Sequence, residues 1–197
     1  MFWQSTSGRR GGRPGDPPAQ DAWWRAVQLE WGVPGRGIWR DDHLVAFALF
    51  APTLHMQRGR LLGPSPDADA LILSTMWVEP EYRGAGLARH LLQVVAREAV
   101  GNGHEAVEAY GLLGSQDTLS PGSCILDGAF LEHLGFQLHR VDSETPLYRF
   151  ETARTARWAE AVAGTWADVV AALSGRERAK TRPWAESPLG RVDEGRL

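Results

Sequence analysis

The chain has 197 residues, a formal net charge of −3 and one cysteine; apolar residues make up 43% and charged residues 23%. This is ordinary globular composition for one domain with tails, and at the level of the whole chain it offers no electrostatic handle for nucleic acid or an anionic membrane. Cys124 alone excludes an internal disulfide, the longest apolar run (Leu44 to Pro52) is too short for a bilayer, and Arg9 and Arg10 have no apolar segment behind them, so the expected setting is the cytoplasm.

Residues 1–20 read as a flexible segment, because STSGRRGGRPGDPPAQ is rich in Gly, Pro and Arg and has no periodicity. One domain is expected over residues 21–174. Asp21 to Trp31 carries Trp24, Val27 and Trp31 at helical spacing, with Asp21 as N-cap and Gly32 as stop. Arg36–Trp39 and Leu44–Phe50 predict a hairpin turning at Asp41-Asp42. A loop of roughly twenty residues follows, a length that points to function. Ala70–Val78 is apolar on both faces and reads as a central strand. Leu87–Val100 puts Leu87, Leu91, Val94 and Val95 on one helical face and ends at Gly101 and Gly103. Glu105–Tyr110 is the next predicted strand, Ala129–Leu134 a short helix stopped at Gly135, and Gln137–Val141 and Leu147–Glu151 a last strand pair. Trp158, Val162, Trp166, Val169, Val170 and Leu173 predict a C-terminal helix, and the charged, proline-broken residues 175–197 read as a disordered tail.

The stretch WVEPEYRGAGLA, Trp77 to Ala88, joins the central strand to the long helix. A strand, a glycine-rich turn and a helix start together favour an anion, because the first helical amides lack internal partners and the dipole is positive there. Gly84 and Gly86 allow close backbone approach and Arg83 adds charge. The dinucleotide fingerprint fails, since Arg89 stands where a third glycine is needed, and no Gly-Lys-Ser/Thr makes a P-loop. The alternative is a structural turn with a surface arginine.

Val78-x-Pro80-x-Tyr82-Arg83-Gly84-x-Gly86-Leu87-Ala88 resembles motif A (R/Q-x-x-G-x-G/A) of the GNAT superfamily of N-acetyltransferases, with Arg83, Gly86 and Ala88 in the defining places. Phe130 to Phe136, FLEHLGF, resembles the family's F-Y-x-x-x-G-F segment. The two come in the family's order, and the resemblance covers residues 35–151. It implies an α/β fold with a mixed, mostly antiparallel central sheet flanked by helices, here with an added C-terminal helix that packs on the domain or joins a homodimer. The fold usually opens with a strand; MFWQ is short for one.

The resemblance implies acetyl-CoA as co-substrate and a primary amine, small molecule or peptide, as acceptor. The diphosphate would lie on the amides of Gly84, Ala85, Gly86, Leu87 and Ala88 beside Arg83. The pantetheine arm would run along Met76, Trp77 and Val78, opened by a bulge, with the Val78 amide or a neighbour as oxyanion donor. An alkylamine is neutral in only about one molecule in a thousand at pH 7, so a general base is expected. Glu108 is preferred, because Ala106, Val107 and Ala109 would desolvate it; Glu79 is the other candidate, and a solvated surface charge is the alternative for both. The family's leaving-group acid, a tyrosine, is Leu131 here. Tyr110 and Cys124 are substitutes, though each also reads as a packed residue. Trp23 and Trp24 read as core, and Arg58-Gly59-Arg60 as a solvated loop. Six histidines show no metal-ligand spacing, so no metal is expected. The competing functions are an acyl-CoA-binding domain without turnover, regulatory or partner-docking, and a phosphate-binding domain unrelated to CoA.

Overall fold

The computed structural model describes residues 17–56, 63–113, 125–154 and 180–183. Helix α1 spans Pro17–Glu30, starting four residues before the expected Asp21. Proline suits a first helical turn, where its missing N–H is no loss, so the Pro17-Pro18 pair opens the helix and Asp21 lies inside it. The chain leaves α1 where expected: Gly32 has φ 151°, and the N–H groups of Trp31 and Gly32 both reach the Val27 carbonyl, at 2.8 and 3.1 Å. Trp23 and Trp31 pack around Val27, Ala51, Met56 and Ile72, and the Trp23 Nε1 donates to the His55 carbonyl at 2.8 Å. The ring of Trp24 closes over Gly35. These tryptophans are packing groups, as read.

Strands β1 (Gly35–Arg40) and β2 (His43–Pro52) form the expected hairpin. Asp41 and Asp42, at φ 47° and 59°, supply the left-handed pair that a two-residue type I′ turn needs. Then come β3 (Ala70–Val78), α2 (Leu87–Gly101), β4 (Ala106–Leu112), the two-residue β5 (Leu126–Asp127), α3 (Gly128–Leu134), β6 (Gln137–Arg140) and β7 (Leu147–Glu151). The sheet order is β6-β7-β4-β3-β2-β1-β8, with β5 beside β4. Among the described strands, only β3–β4 and β4–β5 are parallel. Strand β8 (Lys180–Pro183) pairs with the outer edge of β1, which corrects the reading of a wholly disordered tail. An open edge attracts main chain through its own hydrogen bonds, so apolar composition is no guide to it. Residues 17–20 of the expected flexible segment are likewise helical. The predicted helix from Trp158 to Leu173, the Arg58-Gly59-Arg60 loop, MFWQ and Cys124 lie outside the described residues.

Helix α2 covers one face of the sheet. Leu87, Leu91, Leu92 and Val95 are buried with Ile38, Ala46, Ala48, Leu71, Leu73, Met76, Val107 and Ala109; each such leucine contributes about 1.5–3 kcal/mol. Val94, expected on the buried face, is only half-buried, and Leu92 takes its place there. Leu131 and Leu134 of α3 join the same cluster, while α1 lies on the opposite face.

One irregularity positions the site. Leu49 pairs with Thr75 and Phe50 with Leu73, so Ser74 is an extra residue in β3; its Oγ donates to the Leu49 carbonyl at 3.0 Å. Such a bulge reverses the side-chain alternation beyond it. Leu71 and Leu73 face α2 before it, Met76 and Val78 after it, and Trp77 falls on the opposite face. There Trp77 stacks on Phe47, its register partner, with ring centroids 6.0 Å apart at 29°. The bulge thus precedes Met76–Val78 instead of lying over them.

Candidate active site

Strands β3 and β4 are paired only from Ala70–Ala106 to Ile72–Glu108. Beyond that, β3 runs on to Val78 and β4 to Leu112 without pairing, leaving a gap between parallel strands. The Glu79 N–H donates to the Val45 carbonyl at 2.9 Å, so alternation commits the main chain of Trp77 and Glu79 to β2 and turns that of Met76 and Val78 toward the gap. The Val78 carbonyl agrees with this, since it points away from β2 and accepts from Arg83 Nε at 3.2 Å. An extended ligand carrying amides would find strand-like partners there.

Past one 3-10 turn (Pro80–Tyr82), the chain enters α2 through Gly84 at φ 78° and Gly86 at φ 79°. L-residues with a Cβ resist this conformation by about 1–2 kcal/mol each, which explains both glycines. Gly86 is the N-cap and brings no side-chain cap to α2. A Cβ built at Gly84 would meet nothing within 4 Å, so the outer side of the turn is open. Uncapped amides, open approach and the exposed Arg83 suit a diphosphate. One turn on, burial and then the charge of Arg97 push the His90 pKa down to about 4, so this ring is neutral at pH 7.

Glu108 is shut off from solvent. Its side chain is 0% exposed; Oε2 accepts from the Asp67 N–H at 3.0 Å and Oε1 from Arg149 at 3.0 Å. Burial pushes its pKa up, as the sequence suggested, against the pull of those two hydrogen bonds. Arg149 also holds Asp69 at 2.8 Å and Glu151 at 2.7 Å, while Asp67 pairs with His139 at 2.8 Å and with Arg140. Burial raises the Asp67 pKa, but His139 and Arg140 outweigh it and leave it lowered; the Arg149 hydrogen bond lowers Asp69. Donor atoms of Asp67, Glu108 and His139 fall within 4.8 Å of one another, spacing that a cation would accept. The guanidinium of Arg149 already supplies positive charge there. Tyr110, on the same face, is 2% exposed and donates its hydroxyl proton to the Pro64 carbonyl at 2.7 Å. Residues 64–67 thus lie over both Glu108 and Tyr110.

The other carboxylate stands at the mouth. Glu79 follows Val78 directly, is 26% exposed and meets His43 Nε2 at 3.0 Å. The structure therefore brings Met76, Trp77, Val78, Glu79 and Arg83 to Ala88 to one opening, and sets Glu108 and Tyr110 apart. Leu131, in the place of the expected acid, is fully buried in the core. The sequence reading missed His43 and Phe47, whose places beside Glu79 and Trp77 depend on a β2–β3 register that no local signal in the sequence gives.

The family model described as "Acetyltransferase (GNAT) family" matches residues 3–117, more than half of the chain. The chain belongs to the GNAT family. Acetyl transfer is the chemistry of that family. Among solved structures, the GNAT chain is similar to a Desulfovibrio desulfuricans protein provisionally described as a GNAT-family acetyltransferase (21% identity, 70% of this chain and 83% of that one, TM-score 0.45). It is also similar to the PaiA N-acetyltransferase of Thermoplasma acidophilum in complex with coenzyme A (14%, 64% and 65%, 0.44) and the ribosomal-protein-S18-alanine N-acetyltransferase of Escherichia coli (16%, 65% and 76%, 0.40). No curated protein matches the chain. No described helix of this GNAT protein is long and apolar enough to cross a membrane.

Proposed function

We propose that this protein moves an acetyl group from acetyl-CoA to a primary amine by direct attack in a ternary complex. The observation that carries the reading is the start of α2: an uncapped helix, entered through Gly84 and Gly86, that opens beside a gap edged by the main chain of Met76 and Val78. Amides from Gly84 to Ala88, with Arg83, bind the diphosphate, and the edge of β3 pairs with the amide-bearing arm. The Val78 N–H is the donor placed to meet negative charge on the thioester oxygen. Glu79 takes the amine proton, directly or through one water, and His43 orients it. This reverses the preference for Glu108, whose oxygens are sealed under residues 64–67. The amine nitrogen bonds to the acetyl carbon, the C–S bond breaks, and the thiolate leaves; with a thiol pKa of about 8.5, it needs no dedicated acid.

The test is thiol release from acetyl-CoA over a panel of amines, with calorimetry of acetyl-CoA alongside. Binding with turnover supports the proposal. Glu79→Gln should lower kcat by about 10²–10⁴-fold with acetyl-CoA affinity unchanged, whereas an intact kcat would remove Glu79 from the mechanism. Binding with no turnover of any amine would favour the second reading, an acyl-CoA-binding domain, for which the buried Leu131 in the acid's place speaks. Absence of binding would reject both.

A further inference from the structure

We infer that Trp77, backed by Phe47, is the floor on which the acceptor lies, and that the acceptor amine is carried on a flat aromatic body by a short alkyl arm. The inference deepens the acetyl transfer proposed above and rests on it. The bulge at Ser74 puts Met76 and Val78 on the face of α2 and Trp77 on the other. The α2 face is filled by core, and the diphosphate turn lies at that helix's start. An amine reaching the gap beside Val78 therefore comes across the opposite face, where Trp77 is the adjacent side chain.

Among the described residues that face is covered only in part: residues 64–67 lie over Glu108 and Tyr110 on β4. Helix α1 packs over Ala51 and Ile72 and over Gly35, toward the other end of the strands. Trp77 is left 39% exposed, while its β3 neighbours Leu71, Ile72, Leu73 and Met76 are all buried. An indole is a large apolar surface to leave in water. Phe47 lies nearly parallel to it and steadies the ring, so the exposed part stays flat. A flat π-surface discriminates by stacking, which an aliphatic body of equal size reproduces poorly.

The spacing along β3 supplies the rest. Glu79 is two residues from Trp77 on the same side of the strand, about 7 Å away, with His43 bonded to it. A ring on Trp77 and an amine at Glu79 are joined by a short alkyl arm, and Val78 lies between them. Arg40 and Arg83 flank the mouth, and Arg40 itself sits over the Tyr82 ring at 5.8 Å, which disfavours a second positive charge on the acceptor.

The test compares 2-phenylethylamine, 2-cyclohexylethylamine and 1,4-diaminobutane as acceptors for the full chain, with acetyl-CoA affinity read separately by calorimetry. Phenylethylamine should be preferred over its cyclohexyl counterpart by about tenfold in kcat/KM. Trp77→Ala should erase that preference through the amine KM, and Trp77→Phe should keep most of it. If the alanine variant does not fold, Trp77→Leu, which keeps apolar bulk without a π-face, decides in the same way. Equal use of the two ring amines, a preference for the diamine, or a preference that survives Trp77→Leu would overturn the inference while leaving acetyl transfer standing. Acetyl-CoA binding with no amine turned over would instead reject the transfer reading, and this inference with it.

Discussion

The start of α2 and the cluster around Arg149 treat polar groups in opposite ways. At α2 the groups are main-chain amides, set by residues within a dozen positions of one another, and the N-cap, Gly86, brings no side chain to cap them. Around Arg149 they are side chains from distant segments, Asp67, Asp69, Glu108, His139, Arg140 and Glu151, each satisfied by another. Both regions are polar and both hold groups that family chemistry could use. Only the first leaves them for a ligand. A buried carboxylate with a raised pKa is a catalytic candidate only if an oxygen remains to be approached, and in Glu108 none does.

The largest effect should come from Arg149→Leu. It leaves Glu108 buried without its cation, and losing one partner of such a pair costs about 3–5 kcal/mol. Urea denaturation measures this; a loss under 1 kcal/mol would mean that the cluster does not hold this part of the fold. Gly84→Val should do the reverse. Its side chain enters open space, so stability drops only by the backbone strain of about 1–2 kcal/mol, while acetyl-CoA affinity falls roughly tenfold to a hundredfold as the diphosphate loses its amides. Calorimetry showing unchanged affinity would move the coenzyme site elsewhere.

Asp127→Ala sharpens the comparison from a third position. Helix α3, unlike α2, is capped by a side chain, with Asp127 Oδ1 accepting from the Phe130 N–H at 2.9 Å. Its loss should cost about 1 kcal/mol with no change in acetyl-CoA affinity. The smallest effect is one of pH. Glu108 has a raised folded pKa, so its share of stability is full below the ordinary glutamate value and is lost as pH rises through the folded one. Asp67 and Asp69, held low, act with the opposite sign and lose stability as pH falls below about 3.9. Stability of Glu108→Gln relative to the parent should therefore improve as pH rises from about 4.3, and a difference that is flat with pH would contradict the burial of a charged Glu108.

Much of the fold was legible because its signals are local. The period of Leu87 to Val100, the alternation and turn chemistry of the hairpin, and the glycine–arginine turn each sit within one element. The errors have physical reasons. Pro17 and Pro18 read as loop because proline breaks helix interiors, yet it is welcome at their first turn. Strand β8 is held by main-chain bonds to β1, which its composition does not announce. Glu108 was rightly read as desolvated, but its partners are 41 residues away in both directions, at Asp67 and Arg149, and spacing along the chain says nothing of them. Trp77 was placed in the site for its main chain; the sidedness of its ring depends on a bulge that sequence alone does not locate.

That bulge makes the length of β3 as consequential as its composition. Met76 and Val78 face α2 only because Ser74 is set aside as an extra residue; taken into a regular ladder, it would turn Trp77 and Glu79 to the leucines of α2 and Met76 and Val78 to the opposite face. Substitutions along β3 alter one contact at a time, but a one-residue slip that absorbs Ser74 would invert the working end of the molecule while leaving every motif residue in the chain.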